Sequence, residues 1–172
     1  MSIRATMRHA AVAFAVCASM IAVIGTMGVS AASAASPIVN LYLTNDSSYC
    51  ATVQGNNNVS GTDITMYTCA SSGSDSWYYI GPGGTGGCTS GVENCYQFQD
   101  VNNTNLCLGV PGGEGLAQLM TCADAYAYWS WSGTTLVNGL SSYVLIVTAT
   151  VPADGSQVAC AQDIDWHQWG IT

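Results

Sequence analysis

The sequence predicts an all-β domain, built as a barrel or a sandwich, and three observations lead there. Strand and turn formers dominate: past residue 34 the chain has no lysine or arginine, few Glu or Leu, and abundant Gly, Ser, Thr, Asn and Val. Such residues favour pleated strands and tight turns over helices, whose best formers are straight-chained. Short apolar or alternating runs are broken by turn clusters at the spacing of many short strands. Finally, one pattern recurs three times in the same order, so the architecture itself is repetitive.

The strands follow in order along the chain. Ile38 to Leu43 opens it, and a second run carries Cys50 before the turn cluster Gly55-Asn56-Asn57-Asn58. Ile64 to Tyr67 and Trp77 to Ile80 complete the first copy. The segment Gly81-Pro82-Gly83-Gly84-Thr85-Gly86-Gly87 is a loop by composition. With Cys88 and Cys95 it reads as an insertion over residues 81–95, closed by its own small disulfide. Cys95 to Phe98 resumes the strands, Pro111-Gly112-Gly113 punctuates them, and Tyr143 to Val147 is the most apolar of the later runs.

The repeats cover about residues 38–80, 96–132 and 138–172. The first joins Cys50-Ala51-Thr52-Val53, Met66-Tyr67-Thr68-Cys69 and Asp75-Ser76-Trp77. The second joins Cys107-Leu108-Gly109-Val110, Gln118-Leu119-Met120-Thr121-Cys122 and Ala127-Tyr128-Trp129. The third joins Val144-Leu145-Ile146-Val147, Gln157-Val158-Ala159-Cys160 and His167-Gln168-Trp169. In each, an apolar strand leads to a cysteine, and a tryptophan follows seven to nine residues later.

This alignment predicts that Cys50 pairs with Cys69 and Cys107 with Cys122, each bridge closing a short loop worth about 3 kcal/mol. The third copy has Val144 in place of its first cysteine, which leaves Cys160 unpaired. Six paired cysteines allow 15 connectivities in all, so the pairing rests on the repeat.

The first 34 residues have the layout of a signal peptide: a basic start with Arg4 and Arg8, an apolar run from Ala10 to Ile24, and the small-residue tail Ala32-Ser33-Ala34. The apolar run is about 15 residues, short of the roughly 20 a helix needs to cross a bilayer. Cleavage is expected after Ala34 or Ala35. Residues 35–172 are then one exported domain, and their cysteine density suits an oxidising compartment. Arg4 and Arg8 are the only Lys or Arg in the chain, while all ten carboxylates lie beyond the leader. A chain so acidic is a poor partner for phosphate backbones or anionic membrane surfaces. No later stretch is long and apolar enough for membrane insertion.

These repeated motifs resemble those of the ricin B-type β-trefoil lectins, and the resemblance covers nearly all of residues 35–172. It implies a pseudo-threefold, disulfide-stapled β-trefoil with Trp77, Trp129 and Trp169 in a shared core. In that family a sugar site uses an Asp two residues after the first Cys, an aromatic two before the second, and polar groups ahead of the closing Trp. The carboxylate takes charge-assisted bonds from hydroxyls, and the aromatic face covers the apolar side of the ring. Here the Asp position holds Thr52, Gly109 and Ile146, and the aromatic position holds Tyr67, Met120 and Val158. The first repeat alone keeps a remnant: Tyr67 as stacker, with Thr52, Ser74 and Asp75 as polar partners.

Catalysis is not expected. Past the leader the chain has one histidine, His167, and no carboxylate pair or nucleophile motif stands out. No cofactor is expected, and no metal: the grouping of Cys160, Asp163, Asp165 and His167 reads as a turn before a core Trp. Asp100-Val101-Asn102-Asn103-Thr104 lacks the Gly and distal Glu of a calcium loop. Two roles remain. One is glycan binding through the first repeat. The other is docking to a secreted or cell-surface protein through Tyr126, Tyr128, Trp131 and Trp166, since Trp and Tyr are enriched at interfaces.

Overall fold

The chain divides into two units, Met1–Ser33 and Ala34–Thr172, and a computed structural model describes residues 36–70, 73–81, 94–162 and 167–172 of it. The proposed leader, Cys88 with most of the insertion, and Asp163, Asp165 and Trp166 lie outside the described residues.

Strand runs as short as six residues cannot fold alone, and here they assemble as three equivalent sets of four. The first set is β1 (Ile38–Leu43), β2 (Asp46–Val53), β3 (Ile64–Thr68) and β4 (Ser76–Ile80). The second is β5 (Gln97–Asp100), β6 (Leu106–Gly109), β8 (Gln118–Thr121) and β9 (Trp129–Ser132), with the two-residue β7 (Gly115–Leu116) placed before β8. The third is β10 (Thr135–Asn138), β11 (Val144–Val147), β12 (Val158–Ala161) and β13 (Trp169–Ile171). β10 thus begins ahead of the third repeat's expected start at 138.

Within each set the middle strands form an antiparallel hairpin: β2 with β3, β6 with β8, β11 with β12. The outer strands close a barrel. β1 pairs with β4, β4 with β5, β9 with β10, and β13 with β1. Tyr96 bridges to Trp129 between β5 and β9, and the Trp169 amide donates to the Thr134 carbonyl between β10 and β13. Among the described residues each outer strand meets a neighbour on both sides, which leaves no barrel edge free to recruit another strand.

Pleating puts every second residue of the outer strands inside. Leu41, Phe98 and Leu136 face the core from β1, β5 and β10, each fully buried. Against them stand Trp77, Trp129 and Trp169, also buried. Each indole Nε1 donates to a carbonyl of its own repeat: Ala51 at 3.1 Å, Leu108 at 2.9 Å and Leu145 at 2.8 Å. Those carbonyls belong to the residues following Cys50, Cys107 and Val144. Three separate bonds thereby fix the threefold correspondence on the first hairpin strand.

Disulfides join Cys50 to Cys69 and Cys107 to Cys122, and Cys160 is free and buried. Cys95 is disulfide-bonded as well.

The pairing register corrects one alignment. Opposite Cys50, Cys107 and Val144 stand Tyr67, Met120 and Ala161. Cys160 therefore corresponds to Met66 and Leu119, not to Cys69 and Cys122. All three are buried core residues one step back along the strand. The third repeat's aromatic position is likewise Ala161, not Val158. Cys160 drew the sequence alignment three residues out because it is the only cysteine there, yet it serves as a small apolar side chain. Burial pushes its thiol up to about 12, so it stays protonated and unreactive.

One set of equivalent positions is chemically uneven. Opposite Trp77, Trp129 and Trp169 stand Asp100, Asn138 and Leu43. Asp100 and Asn138 each cap the turn that follows, accepting from the amides of Asn102 at 2.9 Å and Leu140 at 3.2 Å. The Asn138 amide also donates to the Tyr126 carbonyl at 2.9 Å, whereas Asp100 Oδ2 is buried with no partner among the described residues. Burial raises the Asp100 pKa. An acid with a raised folded-state pKa costs stability where it is ionised, and that cost fades as pH falls through the folded pKa. Asp100→Asn removes the buried charge and is therefore expected to stabilise the fold by about 1 kcal/mol at neutral pH, the low end of the cost of burying an unpaired polar group. Urea unfolding at pH 7 and near pH 4 should show the gain shrinking at the lower pH. A loss of stability at pH 7 would refute the assignment.

Candidate functional site

The first repeat carries a surface cleft of about 300 Å³, and Thr52, Tyr67, Ser74 and Asp75 all line it. Register explains why: Cys50 lies opposite Tyr67, so Thr52 and Tyr67 flank the same stretch of the β2–β3 hairpin. Gly55 and Asn56 form another wall, both with left-handed backbone, φ 63° and 54°. Glycine takes that conformation without strain and asparagine at little cost, which turns the chain back over the cleft.

Tyr67 is 42% exposed and offers an aromatic face at the mouth. Asp75 is the only carboxylate among the described lining residues. It is buried, and its Oδ2 accepts from the Ala70 amide at 2.7 Å. Its Oδ1 has no partner among the described residues, and the Asn40 side chain fixes its backbone by donating to the Asp75 carbonyl at 2.9 Å. Thr52 is nearly buried, with its hydroxyl donating to the Cys50 carbonyl at 3.0 Å and its lone pairs left to accept. The third repeat braces the rim: Asp154 accepts from the Thr68 amide at 2.8 Å and hydroxyl at 3.1 Å.

The second repeat has filled the corresponding space. Gly109 stands where Thr52 does, and a Cβ built on it would meet Met120 Sδ at 2.1 Å. Met120 has collapsed onto the bare glycine backbone and is itself buried, packed with Cys107, Ala127 and Tyr126. The signal lies in the register: Met120, opposite Cys107, is diagonal to Gly109, and its long, flexible side chain fills the gap that the glycine leaves. In the third repeat the same three places hold Ile146, Ala161 and His167.

The aromatic residues of the docking reading make separate contacts. Tyr126 belongs to the packing around Met120. Trp131 donates from its indole to the Tyr79 hydroxyl at 3.1 Å and meets Phe98 edge-on, with ring centroids 6.5 Å apart. Tyr79 stacks on Tyr96 at 4.9 Å, and burial pushes its phenol up to about 12. Trp131 is thus engaged in an aromatic cluster of β4, β5 and β9. Tyr128 is half-buried, its carbonyl accepting from the Gly139 amide.

The architecture is a β-trefoil. The designed threefold-symmetric protein ThreeFoil has a TM-score of 0.64 at 16% identity, over 78% of this chain and 97% of that one. The β-trefoil lectin of the Vibrio vulnificus hemolysin/cytolysin, solved with N-acetyl-D-lactosamine bound, has 0.59 at 18% identity, over 78% and 93%. The C-half of the earthworm R-type lectin, in complex with GalNAc, has 0.57 at 13% identity, over 78% and 96%. At such identities the likeness is one of fold. No protein-family model matches the sequence, and no curated protein matches it.

Proposed function

We propose that the chain is an exported, non-catalytic glycan-binding module with one working site, the cleft of the first repeat. The observation that supports this reading is the exposed ring of Tyr67 at the mouth of a cleft whose described wall holds one carboxylate, Asp75. A pyranose has an apolar face and a ring of hydroxyls. The phenol ring covers the first, while Asp75, Thr52 and Ser74 take hydrogen bonds from the second. The missing Asp beside the first cysteine, replaced by Thr52, removes one charge-assisted acceptor and makes for weak affinity. Two similar folds were solved with sugars bound, which agrees with this use of the architecture. The leader layout and the disulfides agree with export, and among the described residues no helix is long and apolar enough to cross a membrane. The separate engagements of Tyr126 and Trp131 give no support to the docking alternative.

A glycan array followed by calorimetric titration tests the reading. Tyr67→Ala is expected to weaken binding of the best sugar about tenfold or more and to lower the unfolding midpoint only slightly, because the side chain is 42% exposed and outside the core. Failure of every sugar to bind the unaltered protein would remove the lectin reading altogether.

A further inference from the structure

The third repeat holds a second cleft, of about 430 Å³, with different chemistry. It occupies the place of the first repeat's cleft turned about the pseudo-threefold axis, since Ile146 and Val147 correspond to Thr52 and Val53. Its exposed lining is mostly apolar: Ile146, Val147, Ala149 and Pro152 line it, the first two buried, together with Asn45, Thr148 and Thr150. His167 stands at its side, in the position Asp75 holds in the first repeat.

We infer that this cleft binds a small, uncharged, hydroxyl-bearing apolar ring compound of the phenol class, with the hydroxyl on His167. Four observations lead there. The volume lies in the range of small-molecule sites, and apolar walls with few polar groups are their usual lining. Such walls disfavour a sugar, most of whose hydroxyls would lose water against Ile146, Val147, Ala149 and Pro152, with Asn45, Thr148 and Thr150 too few to pair them all. They also disfavour charged ligands, and anions doubly so on a chain with ten carboxylates and no Lys or Arg beyond the leader. Last, His167 Nδ1 is buried and has no partner among the described residues. Burial lowers the pKa of the ring, so at neutral pH it is uncharged. The nitrogen then accepts or donates according to tautomer, and a hydroxyl satisfies either.

This site is independent of the glycan cleft, and its test is separate. The probe is 2-naphthol, with naphthalene as the hydroxyl-free control, titrated into the purified oxidised protein and followed by NMR. 2-Naphthol is expected to shift the amide signals of Ile146, Val147 and Ala149. His167→Phe keeps the ring volume and loses the nitrogen, so 2-naphthol is expected to bind about three- to tenfold more weakly while naphthalene is unaffected. Ala149→Phe fills the cleft and is expected to abolish binding of both. Thr150→Trp, at the exposed rim, does the same from outside the core and guards against misfolding of the first variant. Absence of 2-naphthol binding, shifts located elsewhere, or undiminished binding in both blocking variants overturns the site. Equal loss of 2-naphthol and naphthalene in His167→Phe overturns the hydroxyl contact.

Discussion

Trp129→Ala is expected to destabilise the protein by about 4 kcal/mol, the upper part of the range for truncating a large buried aromatic. Two losses combine. The side chain is fully buried, so its removal leaves a cavity beside Phe98 and Leu136 in a core packed from three directions. It also leaves the Leu108 carbonyl without the indole donor at 2.9 Å, in a place water does not reach. Trp129→Phe separates the terms: it keeps most of the volume, loses the donor, and should cost about 1–2 kcal/mol. Urea unfolding of both variants measures this. A loss for Trp129→Ala below about 2 kcal/mol would mean that the core relaxes into the gap and that the tryptophan does not hold the repeats together.

Removing the second bridge is the next largest effect. The double variant Cys107→Ala and Cys122→Ala is expected to lose about 3 kcal/mol, since the bridge closes a loop with a sequence separation of 15. The effect acts largely on the unfolded chain, which becomes less constrained and exposes more surface. The denaturant slope should therefore rise as the midpoint falls. Guanidinium unfolding gives both quantities at once. A lowered midpoint with an unchanged slope would show that the packing of Cys107 against Met120 and Ala127 dominates instead, and an unchanged midpoint would refute the expected loss.

Much of this was legible in the residues themselves. The alternation Ile38-Val39-Asn40-Leu41-Tyr42-Leu43 gave the limits of β1 as they stand, because its buried face repeats every second residue. The recurring tryptophans gave the three repeats, because one tryptophan closes each against the core. Thr52, Tyr67, Ser74 and Asp75 come from three separate stretches and line one cleft. What could not be read was register on the third hairpin. A buried thiol and a bridging thiol look the same in a sequence, and only the pairing of Val144 with Ala161 separates them. The third repeat's cleft stayed hidden for the same reason. The burial of Asp100 was invisible too, because the position it shares with Asn138 and Leu43 tolerates such different chemistry.

The seam between β1 and β13 has a consequence for the order of events as the chain is made. Of the described strands β1 is made first and β13 last, yet Leu41 faces Ile171 and the Asn40 and Thr172 backbones bond both ways at 3.2 Å. The barrel cannot close until β13 has been made, and contacts this distant in sequence form slowly. Meanwhile the first two hairpins must wait half-assembled, with one strand edge unsatisfied. Those are the two that carry a bridge across their own loop, and each bridge needs only local residues to form. The third hairpin, made last, arrives when both neighbours are already present and holds its place by packing, with the Cys160 thiol serving as core.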